Sequence, residues 1–136
     1  QAADYNALWD DYQDEITFGG EPEWSTLTSN YAMEIGMVET VLVTQAWRQG
    51  SEVGAYLRYV FAEPVSPPEL PGPGPMKAEE VEAAIDCAAQ AVRIRNMYLY
   101  RPDGGFIGTW YDPSAAANPA GFGPSSVIGL AAARLC

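Results

Sequence analysis

Residues 91–111 read AVRIRNMYLYRPDGGFIGTWY. Val92, Ile94, Asn96, Tyr98 and Tyr100 alternate with Arg93, Arg95, Met97, Leu99 and Arg101, the period of two that belongs to an extended strand. Pro102-Asp103-Gly104-Gly105 then supplies turn chemistry, and residues 106–111 return as a second aromatic, β-branched run. The stretch predicts a long β-hairpin. A loop rich in proline, glycine and alanine follows over 112–123, and Pro124 and Ser125 then open an amphipathic run. Val127, Ile128, Ala131 and Leu135 share one helical face while Arg134 points away, which predicts a C-terminal helix ending on Cys136.

Working toward the N-terminus, Gln49-Gly50-Ser51 is a turn signal between two further extended runs. After it, Tyr56, Arg58 and Val60 alternate with Leu57, Tyr59 and Phe61. Before it, residues 37–48 place Val41, Val43 and Trp47 on one face and Leu42, Thr44 and Ala46 on the other. Residues 24–28 and 31–35 are shorter candidate strands. Residues 77–84 carry alanine and glutamate at helical propensity and read as a short turn of helix or a strand lead-in. The expected class is α+β: an antiparallel sheet, a C-terminal helix packed on it, and a short N-terminal helix.

That N-terminal helix is expected over residues 4–15, where Tyr5, Leu8, Trp9 and Tyr12 recur at spacings of three and four and Asp4 can cap the first turn. The first 40 residues hold nine acids and no base, against a whole-chain balance of 18 acidic to seven basic residues and a net charge of −11. Residues 1–23 thus form an acidic arm, with the aromatic stripe expected to pack on the domain and the acids to face outward. Asp10, Asp11, Asp14 and Glu15 are its candidate partner-binding residues. As a calcium site the same four lack the alternating Asp/Asn spacing and the glycine of a calcium loop.

Residues 63–76 read EPVSPPELPGPGPM and hold six of the 11 prolines, so an extended loop is expected there. Two P-x-x-P spacings occur, 64–67 and 68–71, and Pro68 and Pro71 are candidate partner contacts. No basic residue flanks either copy, which favours a stiff connection over a polyproline ligand.

At 136 residues, 48% hydrophobic with mean hydropathy −0.12, the chain reads as one folded domain. No apolar run is long enough to span a membrane as a helix. The negative charge opposes the phosphate backbone, so nucleic acid is not an expected partner. Histidine is absent, which removes the commonest general base and the usual zinc ligand, and no P-loop, G-x-G-x-x-G or G-x-S-x-G spacing occurs. A glycosidase built on paired carboxylates and stacking aromatics is the enzymatic alternative. Tyrosine and tryptophan content alone does not distinguish it from core packing. No enzyme activity, cofactor or metal is expected.

The chain begins Gln1-Ala2-Ala3, which reads as the terminus left by removal of a secretory signal, with an artificial boundary as the alternative. In an exported chain the even cysteine count reads as one bond between Cys87 and Cys136; two reduced thiols are the other reading.

Ile85-Asp86-Cys87 entering a strand, Ala91-Val92-Arg93, Tyr98 before an Asp-Gly turn, and Pro124-Ser125 with a helix closing on Cys136 resemble the bacterial surface-adhesin protein E family. The resemblance covers roughly the last 52 residues well and residues 31–61 loosely. It implies an exported envelope domain, in the periplasm or on the bacterial cell surface, with the two cysteines bonded and a homodimer through the sheet among its states. It supplies no catalytic residues. Surface binding in that family goes with a basic segment, and this chain's lone lysine is Lys77. The expected function is therefore that of an accessory or interaction subunit of an envelope assembly, making contacts with other envelope proteins. An adhesin for host matrix proteins or glycans is the alternative.

Overall fold

The turn at Gln49-Gly50-Ser51 forms as its residues dictate: Gly50 takes a left-handed φ of +61° and joins two strands of 14 residues, Gly36–Gln49 and Glu52–Val65. The computed structural model describes residues 5–19, 23–66 and 74–136, with side chains in the first of these as far as Asp14. The elements in chain order are α1 (Tyr5–Gly19), β1 (Ser25–Met33), β2 (Gly36–Gln49), β3 (Glu52–Val65), β4 (Met76–Asp86), β5 (Ala91–Tyr100), β6 (Phe106–Trp110), α2 (Pro113–Ala117), β7 (Ala120–Gly121) and α3 (Val127–Leu135). The sheet runs β1-β2-β3-β4-β5-β6 with every pair antiparallel, and β7 joins β5 at Ala91 and Val92. The α+β class with a helix at each end is as expected.

Several local expectations change. Residues 77–84 are neither a helical turn nor a lead-in but the middle of β4, paired on both sides. Tertiary pairing overrides the helical propensity of its alanines and glutamates. Residues 24–28 and 31–35 are not two strands: β1 is continuous through Asn30, whose φ of +55° is one an asparagine tolerates, and Glu34-Ile35 form the turn into β2. The loop expected over 63–76 is strand at both ends, with Val65 paired to Met76. Pro68 and Pro71 lie outside the described residues. The 112–123 loop contains α2, capped by Asp112 through Ser114 N and Ala115 N, and the short β7.

Bulges decide which side chains share a face. A register shift at Gln45/Trp47 inserts Ala46, so Trp47 turns to the face opposite Val41 and Val43 rather than sharing theirs. A second shift, at Glu82/Ala83, inserts Arg95 between Ile94 and Asn96 and breaks the strict alternation expected for β5. Val92, Ile94, Met97 and Leu99 therefore all join one apolar cluster. That cluster also takes Val41 and Val43, Leu57 and Phe61, Val81 and Ile85, and the face of α3 made by Val127, Ile128, Ala131 and Leu135. Ser126 caps α3 by accepting from Gly129 N.

Cys87 and Cys136 form a disulfide that ties the end of α3 to the turn after β4, with 49 residues of separation. On the chain-entropy account a loop of that length stabilises the fold by roughly 4 kcal/mol. Arg134 adds a second tie by donating to Thr26 O at 2.7 Å. No helix among the described residues is long and apolar enough to cross a membrane.

Candidate functional site: the face beneath the N-terminal helix

Helix α1 lies on the sheet face opposite α3. Trp9 is fully buried there and Tyr12 nearly so, packed with Trp47, Tyr56 and Ala84, while Tyr5 and Leu8 border the same cluster. Trp9 stands edge-on to Tyr56 with centroids 4.7 Å apart, and to Trp47 at 6.0 Å. Glycine at position 54 makes room: a Cβ there would fall 2.2 Å from the Trp47 indole, so the ring lies directly over β3. The helix extends beyond the 4–15 span expected for it, to Gly19. Asp10, Asp11 and Asp14 are exposed, as the amphipathic reading required. The Glu15 side chain and all of Asp4 lie outside the described residues.

Below the helix sits a polar network that the sequence reading did not single out. Glu82, on β4, is completely buried. Arg95 Nη1 donates to its Oε2 at 3.0 Å, Tyr56 OH donates to its Oε1 at 3.3 Å, and Tyr98 OH donates to the same Oε1. Gln13 of α1 donates to Tyr56 OH at 3.2 Å, which links helix to network. A carboxylate so placed is tolerable only because each oxygen is engaged and a cation faces it. Burial pushes the Tyr56 and Tyr98 hydroxyls above the usual tyrosine range, and the neighbouring Glu82 adds to the effect. Both phenols therefore stay neutral donors across the physiological range. The bulge at Arg95 is what the network depends on, since the extra residue turns both Arg95 and Asn96 to the α1 side.

Beside the network opens a cleft of ≈ 540 Å3 lined by Tyr5, Trp9, Arg93, Arg95, Asn96 and Tyr111, among others. Arg93 lies over the Tyr5 ring, 5.5 Å from its centroid. At the other end of this face, Arg58 donates to Glu80 at 2.6 Å and covers the Trp24 ring at 4.5 Å.

On the α3 side, Glu79 stands opposite Tyr59 across the β3–β4 ladder, among apolar side chains. Burial raises its carboxyl above the usual glutamate range.

Of the sequence candidates, the structure brings together Cys87 with Cys136 and keeps Asp10, Asp11 and Asp14 on one exposed helix. It does not join them to one another in a metal-binding group: among the described residues no such cluster of carboxylates or thiols occurs. Glu82, Arg93 and Arg95 were missed because residues 77–84 read as helical and the Arg95 bulge has no signature in a strand that alternates so regularly. The available signal was the spacing of Glu80, Glu82 and Ala84 against Val81, Ala83 and Ile85. No protein-family model matches the chain, and neither a curated protein nor a solved structure does.

Proposed function

We propose that the chain is a non-catalytic, exported cell-envelope protein that acts as an accessory or interaction subunit of an envelope assembly through protein–protein contacts. The observation that carries this reading is the way α1 is held. Its aromatic face is buried on the sheet and pinned by Gln13, so the carboxylates of Asp10, Asp11 and Asp14 are presented on a fixed helix rather than a loose tail. Three carboxylates in fixed positions suit a basic partner surface, for which electrostatic complementarity sets encounter rate and register. The disulfide, a bond that persists in oxidising compartments, supports the export part of the reading. A non-catalytic role is supported by the state of Glu82, whose two oxygens are engaged by Arg95, Tyr56 and Tyr98 rather than open to a substrate.

The test is size-exclusion chromatography of an envelope extract from the native source, following the protein by antibody. The reading predicts elution in an assembly well above the 14.7 kDa of the chain, with a shift toward the free protein as salt rises. The triple substitution Asp10→Asn, Asp11→Asn, Asp14→Asn should produce the same shift at low salt without changing the melting temperature. Elution of the wild-type chain as a free monomer or homodimer at low salt would contradict the proposal, as would an assembly indifferent to the triple substitution.

A further inference from the structure

We propose that the cleft between α1, α2 and β5 is a binding site for a carboxylate carried on an apolar body. The inference needs no envelope assembly and stands apart from the function proposed above.

Three observations converge on it. The first concerns the cations. Among the described residues, six of the seven basic side chains meet an oxygen acceptor: Arg48 the carbonyl of Leu135, Arg58 Glu80, Lys77 the carbonyl of Ala62, Arg95 Glu82, Arg101 Asp103, and Arg134 the carbonyl of Thr26. Arg93 alone has only an aromatic ring beneath it, that of Tyr5. A guanidinium presents five donors in a planar fork that matches a carboxylate, and among the described residues no acid meets that of Arg93.

The second concerns the polar lining beside Arg93. Trp9 is fully buried behind the cleft and gives it a dry, rigid backing. Asn96 contributes a side-chain amide to the same wall. Glu82, the nearby acid, is neutralised by Arg95 and so does not cancel the field of Arg93.

The third is the shape and lining. A cleft of ≈ 540 Å3 falls in the range of small-molecule sites, and the half-buried Tyr5 ring among its lining residues suits an apolar group. Tyr111, 56% exposed, stands among the lining residues where a second ring can close over that group.

The carboxylate can belong to a free small acid or to the C-terminus of a peptide, and the test separates these. Isothermal titration of the intact, disulfide-bonded chain is run with phenylacetate and with N-acetyl-Ala-Phe, and each is compared with its neutral amide. The expected result is saturable binding of at least one acid, weakened ~10-fold or more in the corresponding amide and ~10-fold or more by Arg93→Gln, as loss of one charge-assisted hydrogen bond requires. Binding of phenylacetate alone points to free acids, and binding of the peptide acid points to a chain terminus; either supports the site. Should Arg93→Gln fail to fold, the acid-to-amide comparison on the unaltered chain still decides the matter. No saturable binding of either acid, or equal binding of acid and amide, would overturn the proposal.

Discussion

Glu79 and Glu82 are three residues apart on β4 and meet opposite fates. Glu82 faces α1, where Arg95 and two phenols receive it; Glu79 faces the apolar side, with Tyr59 across the ladder and burial as the dominant influence on its carboxyl. A carboxyl whose pKa is raised on folding binds its proton more tightly in the native state. Its contribution is therefore fully favourable below the unfolded value of 4.5 and is lost as pH climbs through the raised native value. Glu79→Gln removes this dependence. In urea unfolding at a series of pH values, the variant should match the wild-type chain near pH 4 and become progressively the more stable of the two as pH rises, before the difference levels off. A difference that stays constant across pH would show that Glu79 carries no burial cost.

At the scale of elements, the hairpin β5–β6, the turn at 49–51 and the face of α3 could be read in the sequence because period and turn chemistry are local. The faces of β2 and β5 could not be read throughout. A single inserted residue, Ala46 in one strand and Arg95 in the other, reverses the facing of everything beyond it, and a bulge is set by the partner strand rather than by its own residues. For the same reason β4 was hidden: its alanines and glutamates favour helix in isolation, and only pairing with β3 and β5 makes them a strand. Helix α1 was legible as a stripe, and the Trp9 and Tyr12 positions on it are the buried ones. What the stripe packs on was not, because Trp47 reaches that face only through the Ala46 bulge. Truncating the central ring of the cluster tests the packing: Trp9→Ala should cost about 3 to 5 kcal/mol in urea unfolding. It should do so with little dependence on salt, since the contact is apolar. A loss below about 1 kcal/mol would mean that α1 contributes little to the fold.

For the whole molecule, the sheet separates two clusters, one closed by α3 and its disulfide and the other by α1. The first joins parts of the chain distant in sequence through a covalent bond and the Arg134 contact. The second depends on noncovalent packing: aromatic contacts of Tyr5, Trp9 and Tyr12 with Trp47 and Tyr56, plus the Gln13 hydrogen bond. Both the acidic display of α1 and the cleft beside Arg93 require this second closure to be part of the native structure. The most direct check is amide hydrogen exchange of the intact chain, read by mass spectrometry under native conditions. If α1 is part of the cooperative fold, its amides through the turn holding Trp9 and Tyr12 should be protected alongside those of β3 and β4 and open with them. Exchange of the α1 amides at the rate of an unstructured peptide, while the strands stay protected, would contradict the account.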